Sequence, residues 1–291
     1  MTNFLAYLCI AVVSVGIAAY AIYMKRDSYK VSTLIVFYLF SSAITWIGEF
    51  IVLGIFNSYA YKTDLLPNPW AQNLIGHLLL NTSMYPAAAT VMVAYSLRYG
   101  WISLVTGIFV ALEYLFVKLG LYEQHWWNYY MSVINVVAFM LISRQWFLKM
   151  NQKRYGITRA VTFYFVALIF LHMPSPLLLL LGKQYYQLGL IDKLTVDLYL
   201  SSTIFSFTYH LIVCFLLVLF VCILKEWYWK LFPLIIYPMV EIIFTKINIL
   251  ILADGWKLVY TIVINEICIV VFILIEKYTL KPKLHILEQN D

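Results

Sequence analysis

The 291-residue chain is 64% hydrophobic and only 12% charged, with a mean hydropathy of +0.85 and a formal net charge of +6. Soluble domains carry about 25% charged residues, so a soluble domain is excluded. A β-barrel is excluded too, because it would show short alternating segments in place of apolar runs of about 20 residues. The basic residues sit in short loops between the runs, where they act as orientation signals and not as a nucleic-acid surface.

The expected fold is all-α, a polytopic transmembrane helix bundle of nine spans at 3–23, 31–55, 73–97, 100–120, 129–148, 158–181, 197–224, 231–252 and 257–276. The first run is long, and its charges Lys25 and Arg26 follow it, so it is expected to remain as a span and not to be cleaved as a signal. With the N-terminus outside, one side carries Lys25, Arg26, Lys30, Arg98, Arg144, Lys149, Lys153, Arg154, Arg159, Lys225, Lys230, Lys277, Lys281 and Lys283, which is 14 of the 20 basic residues. The positive-inside rule then places the N-terminus outside and the C-terminus inside. The largest soluble pieces, about 57–72 and 182–196, fall outside.

Two stretches match. "LEYLFVKLGLYEQHWWNYYMSVIN" ends at Asn135 and "VEIIFTKINILILADGWKLVYTIVIN" ends at Asn265. Glu113 and Lys118 align with Glu241 and Lys246 at an offset of 128, Trp127 with Trp256 at 129, and the two "VIN" triplets at 130. The chain is therefore expected to divide into an N-terminal helix and loop (1–30) and two parallel four-helix repeats (31–150 and 151–291). A pseudo-twofold along the membrane normal would relate the repeats.

Charged groups inside the spans are the functional suspects, because burying one in hydrocarbon costs about 2.5–3.5 kcal/mol on insertion scales. Glu113 falls about 10 Å below the outer end of its span at 1.5 Å per residue, too deep to reach water easily. Lys118 is close enough to snorkel to the headgroups. Glu113 is expected to face Glu241 near the midplane, with Glu49 and Glu266 close by. His77 and His210 are candidate proton relays, and Asn135 and Asn265 supply amides. His172 precedes "MPSP", whose prolines should bend or open the helix. Each of these groups has a plainer alternative as interhelical hydrogen-bonding glue. Lys118 and Lys246 have one as interface anchors, and Asp197 as a helix cap. His125 and His285 are read as solvated.

Cys9, Cys214, Cys222 and Cys268 lie in apolar runs without paired spacing and read as small hydrophobes. No nucleotide-binding, zinc-protease or serine-hydrolase motif is present, and the histidines lack metal spacing, so no metal or cofactor is expected.

"YPAA" at 85–88, "LEYLFVKLGLY" at 112–122 and "HWWNYYMSVIN" at 125–135 are similar to a family of uncharacterised bacterial multi-pass membrane proteins, over about residues 73–146. The resemblance implies a unit of four or five spans and brings no activity with it. At the level of architecture alone, the chain is similar to small integral-membrane cyclases. Three functions are weighed: proton-coupled transport or binding of a small or amphiphilic molecule, favoured; a metal-independent intramembrane cyclase or isomerase acting on an isoprenoid or lipid; and a non-catalytic scaffold or sensor. The partners expected are the bilayer, a hydrophobic or small-molecule ligand and, in a homo-oligomer, further copies of the chain.

Overall fold

A backbone in hydrocarbon must satisfy its own hydrogen bonds, so apolar runs of this length become helices. The computed structural model of the chain describes residues 2–151, 156–192, 195, 197–224 and 226–280. In chain order the helices are α1 (Thr2–Met24), α2 (Val31–Glu49), α3 (Pro69–Ala94), α4 (Tyr99–Lys118), α5 (Tyr129–Met150), α6 (Gly156–His172), α7 (Pro174–Leu180), α8 (Gly189–Asp192), α9 (Leu198–Val218), α10 (Phe232–Lys246) and α11 (Leu258–Tyr278). α2 runs on into a π-helical turn, Phe50–Ile55, and α9 into another, Leu219–Ile223. Strands β1 (Tyr59–Tyr61) and β2 (Tyr122–Gln124) pair antiparallel, as do β3 (Gln184–Tyr186) and β4 (Leu250–Leu252). Lys153, Arg154, Lys193, Lys225, Lys281, Lys283 and His285 lie outside the described residues.

The fold is an all-α helical bundle. Among the described residues, eight helical segments are long and apolar enough to cross a membrane, with α6 and α7 counted as one. The span expected at 73–97 is the exception. It forms the 26-residue α3, but Asn73, His77, Asn81, Thr82 and Ser83 make it too polar to join the eight. Its environment explains how it is accommodated. More than half of α3 is buried, with α1 and α2 packed along it. α1 is apolar all round, leaves Val12, Val13 and Tyr20 exposed, and screens α3 from lipid.

The elements α2–β1–α3–α4–β2–α5 recur as α6/α7–β3–α9–α10–β4–α11, and their local contacts recur with them. Tyr38 Oη donates to the Thr82 carbonyl (2.6 Å), and Tyr164 Oη to the Leu211 carbonyl (2.9 Å). Trp127 Nε1 donates to Ser132 Oγ (2.7 Å), and Trp256 Nε1 to Thr261 Oγ1 (3.0 Å). The Tyr61 amide donates to Asn73 Oδ1 (2.7 Å), and the Tyr186 amide to Ser202 Oγ (2.9 Å). α4 and α10 end alike: Gly120 (φ +70°) and Asn248 (φ +56°) take the left-handed conformation, and the next amide returns to Phe116 and Phe244 respectively, each at 2.8 Å. Glycine and asparagine are the residues that enter that region at least cost.

Breaks also coincide. Where α2 passes into its π-turn, α6 is interrupted at Met173, because Pro174 has no amide to continue the ladder. At the basic end, Arg159 of α6 and Lys230 grip Glu276 of α11, with Lys230 Nζ 2.7 Å from Oε2 and Arg159 Nη2 on Oε1.

Candidate functional site

The two halves meet along a seam in which α2 packs on α6 and α3 contacts α9. At one end of the seam the caps of α3 and α9 touch. Asn68 Oδ1 accepts the Ala71 amide (2.9 Å), Asp197 Oδ1 accepts the amides of Tyr199 (2.8 Å) and Leu200 (3.1 Å), and Asn68 Nδ2 donates to Asp197 Oδ2 (2.7 Å). Asp197 is thus a cap, as its sequence position suggests.

A cleft opens along the seam. Trp46, Glu49, Phe50, Asn73 and His77 line it from the first half, and His172, Tyr199, Thr203 and Phe207 from the second. Trp46 is fully buried between two histidines, its ring centroid 5.5 Å from that of His77 and 5.7 Å from that of His172. Trp46 Nε1 is fixed by Thr82 Oγ1 at 3.1 Å, and Phe50 stacks on Phe207 at 4.3 Å.

Buried polar chains leave the cleft on both sides. In the second half, His172 Nδ1 lies 3.3 Å from His210 Nδ1, and His210 Nε2 lies 3.0 Å from Tyr237 Oη. Glu241 is one turn further along α10; it is completely buried and accepts from Tyr186 Oη at 3.2 Å. In the first half, His77 Nδ1 is 3.4 Å from Asn81 Nδ2, and Asn81 shares a cavity with Glu49. Glu49 accepts from Tyr59 Oη (2.5 Å) and Tyr61 Oη (2.8 Å). Burial, and then the carboxylate, push both phenols well above their ordinary range, so they stay protonated and donate. No Lys or Arg is bonded to Glu49 or Glu241 among the described residues.

Glu113 and Glu241 do not meet, contrary to the expectation from the repeat. α4 packs on α5 and α10 on α11, while the seam is made by α2, α6, α3 and α9. Each carboxylate turns into its own half, where it finds local partners. Glu113 is half-buried and accepts from Gln124 Nε2 at 2.8 Å. It borders a cavity with Tyr59, Tyr61, Tyr85, Tyr122, Trp127 and Asn135. Glu49 and His77 do reach the seam cleft, and His210 stands one residue behind it, on His172. Asn265 is buried and Glu266 half-buried, each with one side-chain oxygen that lacks a hydrogen-bond partner. Neither joins the seam cleft. Lys118 and Lys246 are exposed at the C-terminal ends of α4 and α10, as anchors would be. Outside the spans, Lys62 lies 2.6 Å from Glu123 and holds that carboxyl below its usual range.

The tyrosines are what sequence reasoning missed. Tyr59 and Tyr61 stand in a loop, where aromatics read as an interfacial belt, but β1 pairing with β2 folds them back over Glu49. The dense "YAY" at 59–61 was the available signal.

Fold and site together define a helical membrane protein with a polar interior sealed by apolar helices. No protein-family model, curated protein or solved structure matches the chain.

Proposed function

We propose that this chain is a membrane carrier that binds a small or amphiphilic molecule in the seam cleft and couples its passage to protons. The observation that carries the reading is the placement of Glu49, His77 and His172 around one cleft between the halves, with His172 continued inward to His210 and Tyr237. A carboxylate with no bonded cation needs a positive charge from elsewhere, and a proton or a ligand from the cleft is the available source. Histidines gain and lose protons near neutrality, which suits the relay. The π-turn after α2 and the break at Met173 lie beside the cleft, where irregular helix geometry permits movement.

We further infer that the halves arose by duplication and are related as parallel repeats. The recurring hydrogen bonds, strand pairs and helix ends support this. The distribution of Lys and Arg supports an N-terminus outside and a C-terminus inside. The family resemblance over residues 73–146, to bacterial multi-pass proteins, is consistent with the first of these units.

Proton flux into liposomes, read with an internal pH dye at several external pH values, tests the carrier reading. The wild-type protein should conduct above empty liposomes. Both Glu49→Gln and His172→Ala should fall to the empty-liposome level while eluting as folded protein. Wild-type flux equal to that of empty liposomes, or unchanged flux in both variants, would refute it.

A further inference from the structure

The first half contains a second cavity system that meets the seam cleft only at Glu49. Two adjoining cavities share Tyr59, Tyr85, Trp127 and Asn135. Glu113 lines the first and Glu49 the second. The walls between them are aromatic. Tyr59 lies 5.0 Å from Tyr122 and 5.6 Å from Trp127, centroid to centroid, and Tyr61 lies 5.5 Å from Tyr122. No Lys, Arg or His lines either cavity.

Aromatic faces carry negative quadrupoles, and two carboxyl groups add acceptors at either end. Hydrogen bonds hold the walls in place. Trp127 Nε1 is tied to Ser132, and the hydroxyls of Tyr59 and Tyr61 are tied to Glu49, which fixes the angles of their rings. Glu113 has one modest partner, the Gln124 amide, and its second oxygen remains available to a ligand. A neutral apolar ligand would leave these acceptors unanswered. A small inorganic cation would make no use of the faces. A cation with an apolar surface uses both.

The other half is built differently at the corresponding positions. The offsets that relate the halves carry Tyr59, Tyr85 and Tyr122 onto Gln184, Cys214 and Leu250. Gln184 Oε1 accepts from Thr261 Oγ1 at 2.5 Å, and Glu241 is completely buried. Tyr186, Phe205, Tyr209, Tyr237 and Phe244 cluster near Glu241, but the three positions that correspond to Tyr59, Tyr85 and Tyr122 are not aromatic there.

We infer that the chamber between Glu113, Tyr122, Trp127 and Glu49 binds an organic ammonium cation. The chamber meets the seam cleft at Glu49, but Glu113 and Tyr122 line only the chamber, so binding read through them is independent of proton flux.

The probe is choline, titrated calorimetrically into the full-length protein in detergent, beside its neutral isostere 3,3-dimethyl-1-butanol and beside sodium chloride. Choline should bind saturably in the millimolar range or tighter, at about −4 kcal/mol or beyond, and the two comparators should not. Glu113→Gln should weaken choline about tenfold and Tyr122→Leu at least about threefold, the scale of one desolvated cation–aromatic or charge contact. A thermal unfolding transition checks that each variant is folded; if Glu113→Gln is not, Tyr122→Leu and the isostere comparison decide. No saturable choline binding by folded wild-type protein would overturn the inference. So would equal binding of the isostere, an equal response to sodium alone, or undiminished choline binding in the folded variants.

Discussion

Gly76 sits on α3 directly beneath Tyr61. A Cβ at that position would lie 2.4 Å from Tyr61 Cγ, 2.6 Å from its Cβ and 2.7 Å from its Cδ2. Rotating the ring relieves the first and third contacts but not the second, because Cβ moves only with the backbone. Gly76→Ala therefore has to displace β1, which carries the two phenols that bond to Glu49 and the amide that bonds to Asn73. Overpacking costs about 1–3 kcal/mol and a lost hydrogen bond to a charged acceptor about 1.5–3 kcal/mol. Replacing glycine within a helix returns up to about 1 kcal/mol. The net loss expected is roughly 2–4 kcal/mol, or about 5–10 °C in the unfolding midpoint. Thermal unfolding of purified Gly76→Ala in detergent measures it, with Gly107→Ala as the reference. Gly107 is a glycine of α4 with nothing within 4 Å of its added Cβ. A Gly76→Ala midpoint equal to or above that of Gly107→Ala would refute the packing of β1 on α3.

Two further outcomes are expected. Trp127→Phe and Trp256→Phe each remove one indole hydrogen bond at corresponding places in the two halves, and each should cost about 1 kcal/mol; a large loss in one and none in the other, by thermal unfolding, would deny their equivalence. Arg159→Met and Glu276→Gln each break the charged cluster joining α6, Lys230 and α11, and should each cost about 2–4 kcal/mol. The double variant should cost less than the sum by about 1 kcal/mol or more in a double-mutant cycle, and strict additivity would show that the contact contributes nothing.

Most of the architecture was legible in the chain, because hydrocarbon imposes helix on any apolar run of sufficient length. α3 was the informative departure. Its polar residues lower its apolarity below that of the other spans, and sequence alone does not reveal that α1 shelters it. Glu113 and Glu241 stood out in the sequence as an aligned pair, and their partners did not. The spacing along one helix fixes the angle between Glu113 and Lys118 but not which neighbour the carboxylate faces. That depends on contacts between segments far apart in the chain, such as Gln124 on Glu113 and Tyr186 on Glu241. His172 beside its prolines was visible as a break in the helix. Its pairing with His210, 38 residues away, was not.

The contact between Asn68 and Asp197 gives the seam a direction. The two residues do the same job at corresponding helix starts and meet one another, yet one is neutral and the other a carboxylate. Two copies of the second half brought together the same way would set aspartate against aspartate and repel. Two copies of the first would have no charge to share. The existing pair, a donor amide against an acceptor carboxylate, satisfies both sides, so each half is suited to the other and not to itself. Such a seam favours the pairing of unlike halves over that of like ones, whether the two belong to one chain or to neighbouring copies.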